Sequence, residues 1–111
     1  MERITIADAL RELEELADTL DNAYWDTTQI QHKDILYNLI SLLHGELNEL
    51  AKLSVADHYM GYEPITTPWR NAIGKLKHLQ NNLDAWVIRT KTAEGLEKLL
   101  PRVIRMLTPQ G

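Results

Sequence analysis

Apolar residues recur every three or four positions along nearly the whole chain, and that spacing commits it to helices. The first stripe reads Ile6, Leu10, Leu13, Ala17, Leu20 and Tyr24, and Ala9, Leu16 and Ala23 widen it into a core-facing band. Thr5 is placed to cap this helix, while Asp8 approximates a capping box and favours the positive end of the helix dipole. The helix should end near Trp25. Asp26-Thr27-Thr28 supplies a turn, and a second helix is predicted from Gln29 to Leu53. Its apolar residues, from Ile35 and Leu36 to Leu50 and Leu53, cover an arc of roughly 160° on a helical wheel. Such a width suits a helix touching two neighbours, and it also predicts a homodimer.

Residues 54–66 contain Gly61 and Pro64 and break the period, which makes them the one long connection. A third helix is predicted with Thr67 as cap and Pro68 at its first position, where the missing amide hydrogen costs nothing. Trp69, Ala72, Leu76, Leu79, Leu83 and Trp86 give it a continuous apolar stripe. The pattern restarts at Thr92 and runs through Leu96, Leu99, Leu100, Val103, Ile104 and Leu107. Pro101 predicts a kink or a break there, and Thr108-Pro109-Gln110-Gly111 reads as a stop. The expected fold is all-α: an antiparallel up-down four-helix bundle with a long second-to-third helix loop and a kinked or broken fourth helix. At 111 residues it is expected to be one domain, residues 1–111.

Composition narrows the function classes. The chain is 44% hydrophobic and 25% charged, which indicates neither disorder nor a fibrous protein. It has no cysteine, which removes disulfides, thiolate metal sites and cysteine nucleophiles together and agrees with a cytoplasmic home. No apolar run approaches membrane-spanning length, and Met1-Glu2-Arg3-Ile4-Thr5 does not read as a signal peptide. The net charge of −4 is unevenly distributed. Residues 1–55 carry 11 Asp/Glu against 4 Lys/Arg, a balance of −7, and residues 56–111 carry 5 against 8, a balance of +3. An acidic chain without a compact basic run argues against general nucleic-acid affinity.

Two surfaces stand out as binding candidates. Glu12, Glu15, Asp18 and Asp21 build an acidic face on the first helix, suited to a basic protein partner. The aromatic residues form the second. Trp25 ends the first helix and Trp69 begins the third, so the two are expected at one end of the bundle, covered by the loop residues His58, Tyr59 and Tyr62. The four histidines lack His-x-x-x-His spacing, and no metal site is assigned to them.

Glu46 falls at the edge of the second helix's apolar arc, where a carboxylate needs a partner; Lys77, Arg102 and Arg105 are the basic candidates. Leu43-His44-Gly45-Glu46-Leu47-Asn48-Glu49-Leu50 resembles the first metal-binding helix of MazG-type nucleotide pyrophosphohydrolases, which carry a Glu-x-x-Glu pair. The resemblance implies Mg2+ held by Glu46 and Glu49, together with a further Glu and Asp from a second helix. The third helix carries Lys75 and Lys77 instead, so a hydrolase of this kind would be degenerate. The reading favoured by the sequence is a non-enzymatic regulatory or adaptor protein without a cofactor, acting through protein contacts as an immunity or antitoxin protein does.

Overall fold

The structure is a computed structural model and describes residues 4–108; the readings placed on Met1-Glu2-Arg3 and on Pro109-Gln110-Gly111 lie outside them. It is all-helical, with no strand among the described residues. In chain order the elements are α1 (Ile6–Asp26), α2 (Ile30–Leu50), a 3-10 turn (Val55–Tyr59), α3 (Thr67–Arg70), α4 (Ile73–Asn81), α5 (Leu83–Trp86) and α6 (Thr90–Leu107).

α1 begins as its sequence requires. The Thr5 hydroxyl accepts from the Asp8 amide at 3.1 Å, and the Asp8 carboxylate accepts from the Thr5 amide at 3.3 Å, closing a reciprocal capping box. One face of α1 is buried, and it packs against both α2 and α6. α2 buries Leu36, Leu39, Leu43, Glu46 and Leu50 and packs against α1 on one side and α3 and α4 on the other. Ile35 and Leu42, and across the helix Ile40 and Leu47, are partly buried against the same core. Most of the wide apolar arc of α2 is thus packed against the core of its own chain.

The third segment departs from expectation. It is three short helices, with breaks at Asn71-Ala72 and at Asn82. Its cap is Thr66, whose hydroxyl accepts from the Trp69 amide at 3.4 Å; Thr67 is already helical. At the second break the Asn82 side chain donates to the His78 carbonyl at 2.7 Å, so a local side-chain bond competes with the helical ladder. The stripe nevertheless stays on one side, because Trp69, Ala72, Leu76, Leu79, Leu83 and Trp86 are all buried.

The break expected in the last helix is absent: α6 runs without interruption through Pro101. Pro101 is exposed, so the carbonyl of Glu97, deprived of its helical donor, lies on the wet side. Leu99, Leu100, Val103 and Leu107 meanwhile anchor both sides of the proline in the core. Each fully buried leucine contributes about 1.5–3 kcal/mol relative to an exposed one, which offsets one missing backbone bond.

Contacts across the molecule fix its two ends. At one end Thr5 bridges antiparallel to Gly61, the Ile6 amide donates to the Met60 carbonyl at 2.9 Å, and the Tyr62 amide donates to the Ile4 carbonyl at 2.8 Å. At the other end Thr27 is buried, its hydroxyl 2.7 Å from the Ala23 carbonyl and 3.0 Å from that of Trp86, one proton serving the pair. Thr92 also donates to Asp26 there, at 2.9 Å.

Candidate functional site

Glu46 is fully buried, and the whole loop end is organised around it. The Tyr62 hydroxyl donates to its Oε2 at 2.7 Å. The Ile65 amide donates to the same oxygen at 2.9 Å, and the Thr66 amide donates to Oε1 at 2.8 Å. Thr66 caps α3, so the carboxylate also sits against the start of that short helix. The partners are thus a phenol and two backbone amides, not Lys77, Arg102 or Arg105. A buried carboxylate is stabilised by several converging donors as well as by a cation, and amides cannot be neutralised by rotating away. Burial, reinforced by Glu46, raises the Tyr62 phenol well above its ordinary value of 10.0. The Trp69 indole acts in the opposite sense, although its Nε1 has no partner in hydrogen-bond geometry.

This arrangement does not fit magnesium. Both Glu46 oxygens face donors, and Glu49, one turn on, pairs with Lys52 at 2.5 Å. Among the described residues no group of three or more His, Asp or Glu side chains is placed to hold a metal ion. A hard divalent cation needs several oxygen ligands converging on one point. Glu46 serves the fold instead, and Glu49 is engaged in a surface ion pair.

The aromatic candidates are divided between the two ends. Trp69 is a fully buried core residue and Tyr62 is half-buried on Glu46, whereas Tyr59 is exposed and His58 half-buried on the 3-10 turn. Trp25 lies at the opposite end, 72% exposed. The expectation that Trp25 and Trp69 share an end is corrected by the chain's path, since α2 runs the length of the molecule between them, about 30 Å. The tryptophan at Trp25's end is Trp86, held between His32, stacked at 4.4 Å, and His78, edge-on at 5.0 Å.

No family model, no curated protein and no solved structure matches the chain. Function has to be read from its surfaces.

On α1, Glu15, Asp18 and Asp21 are exposed, as is Glu14, which sequence reasoning passed over although it lies four residues before Asp18. No ion pair among the described residues engages these four. Glu12 is corrected out of the free face. It is turned toward α6, where its Oε1 accepts from Arg102 at 3.3 Å and its side chain retains only 21% exposure. Asp26 is likewise held, by Arg89 at 3.6 Å and by Thr92. Between α5 and α6 a shallow polar cleft of about 620 Å³ is lined by Gln80, Asn82, Asp84, Ala93, Glu97 and Pro101. It contains none of the candidates drawn from the sequence.

Proposed function

We propose that the protein is a non-enzymatic regulatory or adaptor protein, one antiparallel up-down four-helix bundle domain whose α1 face binds a basic protein partner, as an immunity or antitoxin protein masks a cationic nuclease. One observation carries the reading: Glu14, Glu15, Asp18 and Asp21 are exposed and unpaired among the described residues, while the carboxylates beside them, Glu12 and Asp26, are matched by Arg102 and Arg89. Four acidic groups within about two helical turns repel one another at separations near the Debye length, and a docked basic surface relieves that repulsion. Among the described residues no helix is long and apolar enough to cross a bilayer.

The test is co-purification from native cells at low salt with the unmodified chain and with a variant carrying Glu15→Lys, Asp18→Lys and Asp21→Lys. A basic partner should be captured only by the unmodified chain and released as salt is raised. Capture of the same basic protein by both chains would overturn the proposal. So would magnesium-dependent hydrolysis of a nucleoside triphosphate that is lost in Glu49→Gln, because Glu49 lies at the surface and its loss leaves the core intact.

A further inference from the structure

The α1–α2 turn exposes an ordered aromatic surface. Trp25 and Tyr37 are 72% and 63% exposed, and Tyr24 lies between them, edge-on to Trp25 at 5.2 Å and tilted toward Tyr37 at 6.5 Å. Lys33 braces the group from beneath. Its Nζ donates to the Tyr24 carbonyl at 2.8 Å, 4.2 Å from the Tyr24 ring centre and 5.5 Å from that of Trp25. Indole and phenol surface held in place by a lysine, on two long helices, is prepared for contact at little further entropic cost.

Charge decides what can cover it. Asp21 and Asp18 precede Trp25 by four and seven residues on the same helix, and Asp34 precedes Tyr37 by three on α2; all three are exposed and without an ion pair among the described residues. Two cations of this end are already engaged, Lys33 as above and Arg89 by Asp26, while Lys91 at the start of α6 is exposed and in no ion pair among the described residues. A second copy docking through a two-fold axis at Trp25 would press Asp18, Asp21 and Asp34 toward their own counterparts. An apolar partner would desolvate the same carboxylates without matching them. A guanidinium satisfies both demands, since its plane stacks on indole or phenol while its edge pairs with a carboxylate.

We infer that Trp25, Tyr24 and Tyr37, flanked by Asp18, Asp21 and Asp34, form a seat for arginine side chains of a basic protein partner. The inference rests on the acidic-face reading above and adds its anchor point and its preferred side chain.

The experiment titrates the full chain, labelled with nitrogen-15, with hexa-arginine and separately with hexa-lysine at physiological ionic strength, following the indole resonance that Trp25→Phe removes. Hexa-arginine should move that resonance saturably and bind at least about fivefold more tightly than hexa-lysine. Trp25→Ala should abolish the preference for arginine, and Tyr37→Ser should reduce it, giving a second variant should one fold poorly. Asp18→Asn with Asp21→Asn should weaken both peptides alike. Equal affinities with an unmoved Trp25 resonance would overturn the seat; if the Asn variants still weakened binding, the acidic face would stand without it. Failure of both peptides to bind would overturn both readings. A Trp25 resonance that moves with protein concentration alone would assign the surface to a second copy and overturn the arginine seat.

Discussion

The two ends of the molecule use similar side chains to opposite effect. Where α2 meets α3, a carboxylate, a phenol and an indole are packed together: Glu46 and Trp69 are fully buried and Tyr62 bonds the first of them. At the α1–α2 turn Asp21, Trp25 and Tyr37 stay in water. The length of the connection accounts for the difference. Residues 51–66 are long enough to fold back over the end of α2 and deliver Tyr62 and two amides to Glu46, whereas residues 27–29 only turn the chain and have nothing to lay over Trp25. Sequence type alone therefore does not separate a structural aromatic from one left over for a partner; the chain available to cover it does.

The sharpest way to break this contrast is Glu46→Ala. It strands the Ile65 and Thr66 amides and the Tyr62 hydroxyl in a closed site, and should lower stability by about 3–5 kcal/mol, read from the urea midpoint. A loss below about 1 kcal/mol would mean that the donors find water and that the end is not closed. Tyr62→Phe should cost less, about 1.5–3 kcal/mol, since it removes one bond to a charged acceptor and leaves the amides in place. The same phenol sets an alkaline dependence. Its folded value lies above the ordinary 10.0, so the stabilisation is complete below pH 10.0 and declines as pH rises beyond it, because the unfolded chain then releases a proton that the folded one keeps. Tyr62→Phe should flatten that alkaline limb.

At the same end Thr5→Ala should cost about 1 kcal/mol through loss of the cap. Asp8 gives this end an acid limb. The Thr5 hydroxyl close by, the hydrogen bond from the Thr5 amide and the Arg11 guanidinium hold its carboxyl below the ordinary 3.8. A lowered value stabilises the fold above pH 3.8, and the contribution disappears as pH falls through the folded value. Asp8→Asn should make stability less sensitive to pH in that range, measured by thermal unfolding between neutral and acid buffer.

Much of the fold was legible because the signals were local. The capping box at Thr5 and Asp8 needs only a three-residue spacing, and the buried faces of α1, α2 and α6 follow from period alone. Glu46 was legible as a carboxylate at the margin of an apolar arc. Its partners were not, because Tyr62, Ile65 and Thr66 lie in an aperiodic loop and two of them contribute backbone, which carries no residue-type signal. The third segment misled in the other direction. Its stripe is helical throughout, and only the asparagines at positions 71 and 82 hinted that local bonds would interrupt it. Pro101 predicted a kink or a break, and no break formed, since the buried leucines around it hold α6 together. The division of Trp25 from Trp69 was available from topology: in an alternating bundle the end of the first helix and the start of the third lie at opposite ends. Glu12 and Glu15 look alike in sequence, and only the position of α6 shows that the first is engaged and the second free.

The smallest expected effect is the most informative for function. Trp25→Ala removes a large aromatic side chain, and in a core that would cost about 3–5 kcal/mol. At 72% exposure Trp25 contributes little burial, and its edge contact with Tyr24 and its share of Lys33 are partial compensations at a wet surface. The expected change in stability is within about 0.5 kcal/mol, measured by urea unfolding beside Trp69→Ala, which should show the full core penalty. A side chain of this size that adds so little to the fold leaves its indole face open to a partner. Were Trp25→Ala instead to destabilise the protein by more than about 2 kcal/mol, the aromatic group would be part of the core's margin, and the contrast between a closed end and an open one would fail at its open end.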